Sequence, residues 1–263
     1  MPKPVSAFPA IFAVVLFSAC STNNVTNNES LRSYFDSAGV KGTFGLYDNG
    51  QGHFTIYNLA RFRDTAYTPG ATFDIFQSLL AIQRGVVKDE KAVLDSVSLT
   101  QAFQSDSAIN DVVFRQLAVR IGKDSLKKWV DSIHYGNRDL TGAPDSAFWK
   151  DGHLKITADE QMGLVKKLYF DQLPFFKHTQ ASVRGMFNKE ENTNYRLTYK
   201  TGKVQVAPDR TLGWMVGWEE ENKHAYFFVV NMESANPQLD VPAVGLQLVK
   251  KILRPMGFFD GKK

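Results

Sequence analysis

The stretch PGATFDIFQSLLAIQRG, residues 69–85, decides the fold, because it has the pattern of a turn followed by an amphipathic helix. Its large apolar residues recur at spacings of three and four, which places them along one helical face. We therefore predict that this helix packs in the core. The first turn of a helix presents unpaired backbone N–H groups and the positive end of the dipole, so nucleophiles and anions are favoured there.

The composition predicts one compact domain. The chain has 263 residues, of which 43% are hydrophobic and 13% aromatic, enough for a substantial core, and no linker-like run interrupts the middle. The net charge of +4 comes from scattered basic residues, without the basic and aromatic interleaving of nucleic-acid binders, so no nucleic-acid partner is predicted. The five histidines show no metal-ligand spacing, and we predict neither a metal nor a cofactor.

The N-terminus has the features of an export signal. Lys3 supplies the positive charge, residues 7–17 form an apolar run too short to span a bilayer, and a small-residue cleavage site follows. The sequence LFSAC, residues 16–20, resembles the lipobox of bacterial lipoproteins, in which the cysteine is diacylated. Cys20 is the only cysteine, which favours lipidation over a chance cysteine in an ordinary signal peptide and excludes internal disulfides.

Three segments follow from this interpretation. Residues 1–19 are a lipoprotein signal peptide, residues 20–39 are the lipidated cysteine with a flexible, Asn-rich tether, and residues 40–263 are the domain. The mature protein is expected to be an exported lipoprotein, anchored to the membrane through Cys20 and facing the periplasm. Ser21 after the cysteine favours the outer membrane.

The remaining patterns predict an α+β fold, with an antiparallel sheet flanked by helices and a separate α-helical lobe. Asp48-Asn49-Gly50 lies between two β-rich runs and predicts a hairpin, while Thr157 and Glu160 form a capping box. Helices are predicted over residues 112–121, 124–133 and from 157, strands over residues 195–204, 212–220 and 225–232, and a closing helix begins at Pro242.

Several ordered segments resemble one enzyme family, the class D (oxacillinase-type) β-lactamases and related penicillin-sensing domains. The nucleophile helix of that family opens with a proline followed by STFK, and residues 69–75 keep this frame. YGN recurs at residues 135–137, FWxxGxLxIxxxEQ at residues 148–161, and K(S/T)G at residues 200–202. The resemblance covers residues 40–259 and implies the penicillin-recognising serine hydrolase fold.

The resemblance fails at the positions that carry the family's chemistry. The family's serine attacks the β-lactam carbonyl, its SxxK lysine acts as a carbamylated general base, and its SxV serine relays protons. Here the serine position is Ala71 and the lysine position is Asp74. Alignment on the helix that follows places Ile109 and Asp111 in the SxV motif. Thr72 is one residue further along, about 100° round the helix axis, so its hydroxyl is expected to point elsewhere.

Candidate ligand-binding residues remain in the third motif. The resemblance implies that Lys200, Thr201 and Gly202 bind a substrate carboxylate and that Trp149 lies beside the modified lysine. The alternative is that these residues are kept for packing. We also expect Asp74 or Asp111 to pair with Lys200 across the cleft, which would leave a polar site for non-covalent binding. Otherwise, Asp74 is a first-turn acid stabilised by the helix dipole.

These losses concentrate in the site while the scaffold residues persist, so the sequence predicts a folded pseudoenzyme. The favoured function is non-covalent binding of a β-lactam or peptidoglycan stem peptide, or of an envelope protein partner, or action as a sensor. One alternative is an unconventional hydrolase that uses Asp74 or Asp111 to activate water. The other is a structural or interaction lipoprotein with a filled cleft.

Overall fold

The computed structural model describes residues 24–105, 107–142 and 147–263. The predicted signal peptide and the lipidation of Cys20 lie outside these ranges. Among the described helices, none is both long and apolar enough to cross a membrane.

A seven-stranded sheet organises the described part of the chain, in the order β1-β3-β2-β9-β8-β7-β6. All neighbouring strands are antiparallel except β1 and β3, which pair in parallel. A short separate hairpin is formed by β4 and β5. The strands are β1 (Val25–Asn27), β2 (Lys41–Asp48), β3 (His53–Tyr57), β4 (Val93–Leu94), β5 (Val97–Ser98), β6 (Asn188–Glu191), β7 (Arg196–Ala207), β8 (Arg210–Glu221) and β9 (His224–Ser234).

Helices cover both faces of the sheet, as the α+β prediction requires. One face packs on α1 and α9, and the other packs on the lobe that contains α3 to α8. The helices are α1 (Arg32–Ser37), α2 (Leu59–Arg63), α3 (Asp74–Gln83), α4 (Leu99–Gln104), α5 (Ala108–Ile121), α6 (Lys123–Ser132), α7 (Ala158–Tyr169), α8 (Lys177–Met186) and α9 (Val241–Leu253).

Strand alternation explains the two cores. Along β9, Phe228 and Val230 point into the core under α1 and α9, while Phe227 and Val229 point into the core of the helical lobe. Successive side chains of a strand lie on opposite faces, so a strand that is apolar throughout is buried on both sides. The predicted capping box of α7 is present, because Thr157 accepts from the Glu160 backbone N–H and Glu160 returns the bond.

Helix α3 is the centre of the helical lobe, and it is buried on every side. All nine residues from Asp74 to Ile82 are buried, including Asp74, Gln77 and Ser78. The expectation of an amphipathic helix is therefore wrong, because other helices cover the side that carries the polar residues. A turn of 3₁₀-helix, Gly70–Phe73, precedes α3, so Ala71 lies outside the α-helix itself.

The predicted flexible tether is wrong for residues 24–39. Val25–Asn27 pairs with β3, and the Asn28 N–H donates to the Ile56 carbonyl at 2.6 Å. Helix α1 then buries Phe35 completely. The Asn-rich composition suggested disorder, but backbone pairing with the open edge of β3 needs no apolar side chains.

Two buried acids lie at the far end of β8. The Glu221 carboxylate accepts backbone N–H groups from the C-terminal segment, from Phe259, from Lys262 at 3.0 Å and from Lys263 at 3.2 Å. Glu219 lies two residues earlier on the same strand face and is fully buried. Burial, and then the adjacent negative charge of Glu221, raise the pKa of Glu219 to about 9. Glu219 is therefore protonated at neutral pH.

Candidate functional site

The segment that opens α3 packs against strand β7, and this contact brings the predicted site residues together. Gly202 permits the approach, because a Cβ atom there would lie 2.7 Å from the Thr72 backbone nitrogen and 3.2 Å from that of Ala71. The Gly70 N–H donates to the Trp149 carbonyl at 2.9 Å, which ties the same segment to the loop before α7. Close packing is therefore sufficient to require a glycine at position 202, the third residue of the KTG motif.

Asp74 lies at the centre of a closed polar cluster. Its Oδ2 accepts a hydrogen bond from Asn110 Nδ2 at 2.6 Å and lies 3.4 Å from Lys200 Nζ. Lys200 Nζ donates to the Phe103 carbonyl at 2.6 Å, and Asn110 Nδ2 also donates to the Ala102 carbonyl at 3.0 Å. We call Asp74, Asn110 and Lys200 the polar cluster. The predicted pairing of Asp74 with Lys200 is confirmed.

Burial controls the electrostatics of this cluster. The side chains of Asp74 and Lys200 are 0% and 1% exposed. Burial raises the pKa of Asp74 to about 6, against the opposing effects of the Lys200 ammonium and the Asn110 hydrogen bond. The carboxylate is therefore ionised at pH 7, but its desolvation outweighs the attraction of its partners. Such a pair specifies its own geometry at little net gain in stability.

The predicted carboxylate-binding residues are not open to solvent. Lys200 is fully buried and Thr201 is 2% exposed. The Lys200 ammonium is directed to the Phe103 carbonyl and lies 4.8 Å from the centre of the Phe103 ring. In this arrangement, the Lys200 ammonium contacts the polar cluster and does not face solvent.

Asn110 is the site residue that sequence reasoning missed. Alignment by motif directed attention to Ile109 and Asp111 on either side of it. In the structure Ile109 is 38% exposed and points out, whereas Asn110 is 1% exposed and reaches Asp74. The available signal was an amide residue in the first turn of a helix, flanked by positions that had lost the family's residues.

Asp111 does not pair with Lys200, so that alternative is wrong. It forms an ion pair with Lys150, which follows Trp149 in the loop before α7. The two side chains are 39% and 20% exposed, so the pair lies at the edge of the buried site. The reason is position: Asp111 lies one residue beyond Asn110 on α5, about 100° round the helix axis, and faces the loop.

Aromatic side chains and a buried hydroxyl complete the surroundings. Trp149 is 1% exposed and stacks on Phe73, with ring centroids 5.7 Å apart, which supports the packing interpretation of this tryptophan. The Thr72 hydroxyl donates to the Pro69 carbonyl at 2.7 Å and accepts from Gln161 Nε2 at 2.5 Å. Both hydrogen bonds of the Thr72 hydroxyl are therefore made within the protein.

Residues 21–255 match the penicillin binding protein transpeptidase domain. The chain belongs to this family. It is 30% identical to the OXA-48 β-lactamase of Klebsiella pneumoniae, an alignment that covers 95% of this chain and 97% of that one. It is 28% identical to the regulatory protein BlaR1 of Bacillus licheniformis over 78% of this chain, which corresponds to 35% of BlaR1.

Solved structures of this family agree with the fold. The C-terminal domain of the Bacillus licheniformis BlaR penicillin-receptor is similar with a TM-score of 0.80 and 26% identity, covering 90% of this chain and 98% of that one. The class D β-lactamase FUS-1 (OXA-85) from Fusobacterium nucleatum subsp. polymorphum gives 0.79 and 26%, covering 89% and 100%. The predicted fold and the predicted class D and penicillin-sensor resemblance are confirmed.

The site of this transpeptidase-family domain offers limited chemistry. Across residues 24–105, 107–142 and 147–263, no three His, Cys, Asp or Glu side chains are grouped to hold a metal ion. The polar cluster supplies one carboxylate, one ammonium and one amide, all of them buried. This set can exchange protons internally, and Ala71 beside it offers only a methyl group.

Proposed function

We propose that this chain is a non-acylating member of the transpeptidase family that acts by non-covalent binding. The observation that carries the proposal is the polar cluster, in which Asp74 is bonded to Asn110 and faces Lys200 with no exposure to solvent. By the family resemblance, Ala71 takes the position of the nucleophile and Asp74 that of the general base. Loss of the nucleophile of a serine hydrolase costs about six orders of magnitude in turnover.

Activation of water by a carboxylate is the less favoured alternative. A general base must reach a water molecule beside the substrate. Asp74 Oδ2 is engaged by Asn110 and Lys200, and the whole side chain is buried. Asp111 is already paired with Lys150. Both geometries count against hydrolysis by either acid.

The same cluster favours a filled cleft over a carboxylate-binding cleft. Recognition of a β-lactam or stem-peptide carboxylate requires a cation that is free to contact it. The Lys200 ammonium is instead bonded to the Phe103 carbonyl. We therefore infer that an envelope partner binds outside the cleft, with the domain exported and tethered through Cys20 to the outer membrane.

A reversible sensor is the second candidate, and the likeness to the BlaR penicillin-receptor domain favours it. This function requires Lys200 to exchange its bond with Phe103 for one to a ligand carboxylate. Thr201, beside it on β7, would then supply a hydroxyl to the same ligand.

Equilibrium titration of the purified domain separates these candidates. We expect benzylpenicillin and a stem peptide ending in D-alanyl-D-alanine to leave the melting temperature and the NMR signals of Trp149 unchanged, because the cleft is filled. The readouts are thermal unfolding and two-dimensional NMR. Saturable binding that is abolished by Thr201→Val, but retained in the surface variant Lys189→Ala, would contradict the filled cleft and support the sensor.

A further inference from the structure

The polar cluster brings a primary amine and a primary amide together away from water. Lys200 and Asp74 are 0% exposed and Asn110 is 1% exposed. They come from strand β7, helix α3 and helix α5, so only the tertiary fold assembles them. The centre of the Phe103 ring lies 4.8 Å from Lys200 Nζ.

One carboxylate oxygen contacts both nitrogen atoms. Asp74 Oδ2 lies 3.4 Å from Lys200 Nζ and 2.6 Å from Asn110 Nδ2, and these two distances limit the separation of the nitrogens to at most 6.0 Å. The consecutive carbonyls of Ala102 and Phe103 accept hydrogen bonds from the same two nitrogens. Reaction requires the amine to approach to about 3–3.5 Å from the amide carbon.

We propose that Lys200 and Asn110 form an intramolecular isopeptide bond, with Asp74 as the catalytic carboxylate. Lys200 Nζ attacks Asn110 Cγ, the new bond is Nζ–Cγ, and the bond that breaks is Cγ–Nδ2. Asp74 takes two protons in turn from Nζ and passes them to Nδ2, which leaves as ammonium with the charge of the former lysine. Asp74 ends ionised, as it began, and the step needs no oxidant, reductant or co-reactant.

The surroundings of the polar cluster suit this transfer. Exclusion of water protects the intermediate from hydrolysis. Asp74 Oδ2 already touches the attacking and the leaving nitrogen, which is the position that a proton shuttle must occupy. Burial also raises the pKa of Asp74 to about 6, within the range of an effective acid and base at neutral pH.

Asn110 is a better acyl partner than Asp74. Direct condensation of Lys200 with Asp74 would release water and would need another acid to carry the protons. The nearest further acid on α5, Asp111, is paired with Lys150 at the edge of the site. When the amide of Asn110 is the acyl partner, Asp74 remains free to carry protons between the two nitrogens. The resulting link joins α5 to β7 across 90 residues of sequence.

Peptide mapping of the purified full chain tests the proposal. We expect trypsin to fail after Lys200, and the peptides that contain residues 110 and 200 to appear as one branched species, lighter than their sum by one ammonia. Lys200→Arg, Asn110→Ala and Asp74→Ala should each return the separate peptides. Lys203→Arg is the matched control, because Lys203 Nζ contacts the Leu239 carbonyl at 2.9 Å outside the polar cluster, and it should keep the branched species.

Two results would overturn the proposal. Recovery of both peptides from the wild-type chain at their sequence masses, with normal cleavage after Lys200, would show that no bond forms. A branched species joined to Asp74, lighter by one water, would show that the amide of Asn110 is not the acyl partner. The wild-type chain alone decides both outcomes, so poor folding of a variant does not obscure the test.

Discussion

Replacing Asp74 with alanine should lower the free energy of unfolding by about 3–5 kcal/mol relative to wild-type chains in which Lys200 is still an ammonium, the usual cost of removing one partner of a buried ion pair. The variant removes the carboxylate that faces the buried Lys200 ammonium and leaves that ammonium bonded to the Phe103 carbonyl. It also removes the acceptor of the Asn110 amide. Urea denaturation at pH 7 measures the loss.

Asp111→Ala is the matched control for that variant. Asp111 also forms an ion pair, but its side chain is 39% exposed, so its removal should cost about 1 kcal/mol or less. The double variant Asp74→Leu with Lys200→Met should recover most of the loss, because an apolar pair leaves no charge buried. Equal losses for Asp74→Ala and Asp111→Ala would mean that Asp74 and Lys200 do not form a buried ion pair.

Glu219→Gln should stabilise the protein, by about 2–3 kcal/mol at pH 7. Glu219 is fully buried, and its pKa is raised from 4.5 to about 9 by burial and by Glu221. The folded state must therefore keep this carboxyl protonated at a pH where the unfolded chain releases the proton. A glutamine has the same shape and carries no proton to lose.

The stability difference between the wild-type protein and Glu219→Gln should depend on pH. Because the pKa of Glu219 is higher in the folded state, its contribution to stability is fully present below pH 4.5 and is lost as the pH rises to about 9. Denaturation of the two proteins at pH 4, 7 and 9 should show a difference that grows with pH. The exposed control Glu191→Gln should show none of that growth. A constant difference would mean that Glu219 is ionised in the folded protein.

Local patterns in the sequence predicted the elements that local forces determine. The hairpin around Asp48-Asn49-Gly50, the Thr157 capping box and the β-rich runs that became β7, β8 and β9 all form where expected. Each depends on turn chemistry, side-chain capping or apolar alternation within a few residues. The family resemblance added the topology that joins them.

The features that were missed depend on contacts between distant residues. The sequence suggests a tether in place of strand β1 because the paired residues of β3 lie 29 positions further along the chain and two of the three β1 residues are polar. Asn110 was overlooked because its partner Asp74 lies 36 residues earlier. Asp111 is one of two partners predicted for Lys200, but the direction of its side chain on α5 places it beside Lys150 instead. Each outcome is set by which way a side chain or strand edge faces after folding.

The third motif shows why a retained sequence need not mean a retained reaction. Gly202 is required by the close approach of Thr72, and Lys200 is required by the charge of Asp74. Both residues therefore have structural reasons to persist in a domain that has no serine at position 71.

Incubation of the purified chain with a fluorescent penicillin, read by intact mass, tests the non-acylating proposal most directly. We expect no change of mass after prolonged incubation, whereas a class D β-lactamase treated in parallel should carry the penicilloyl adduct. The reason is that Ala71 has no hydroxyl and Thr72 is held by Pro69 and Gln161. A stable adduct on the wild-type chain, mapped to any residue of the 70–74 segment, would contradict the account.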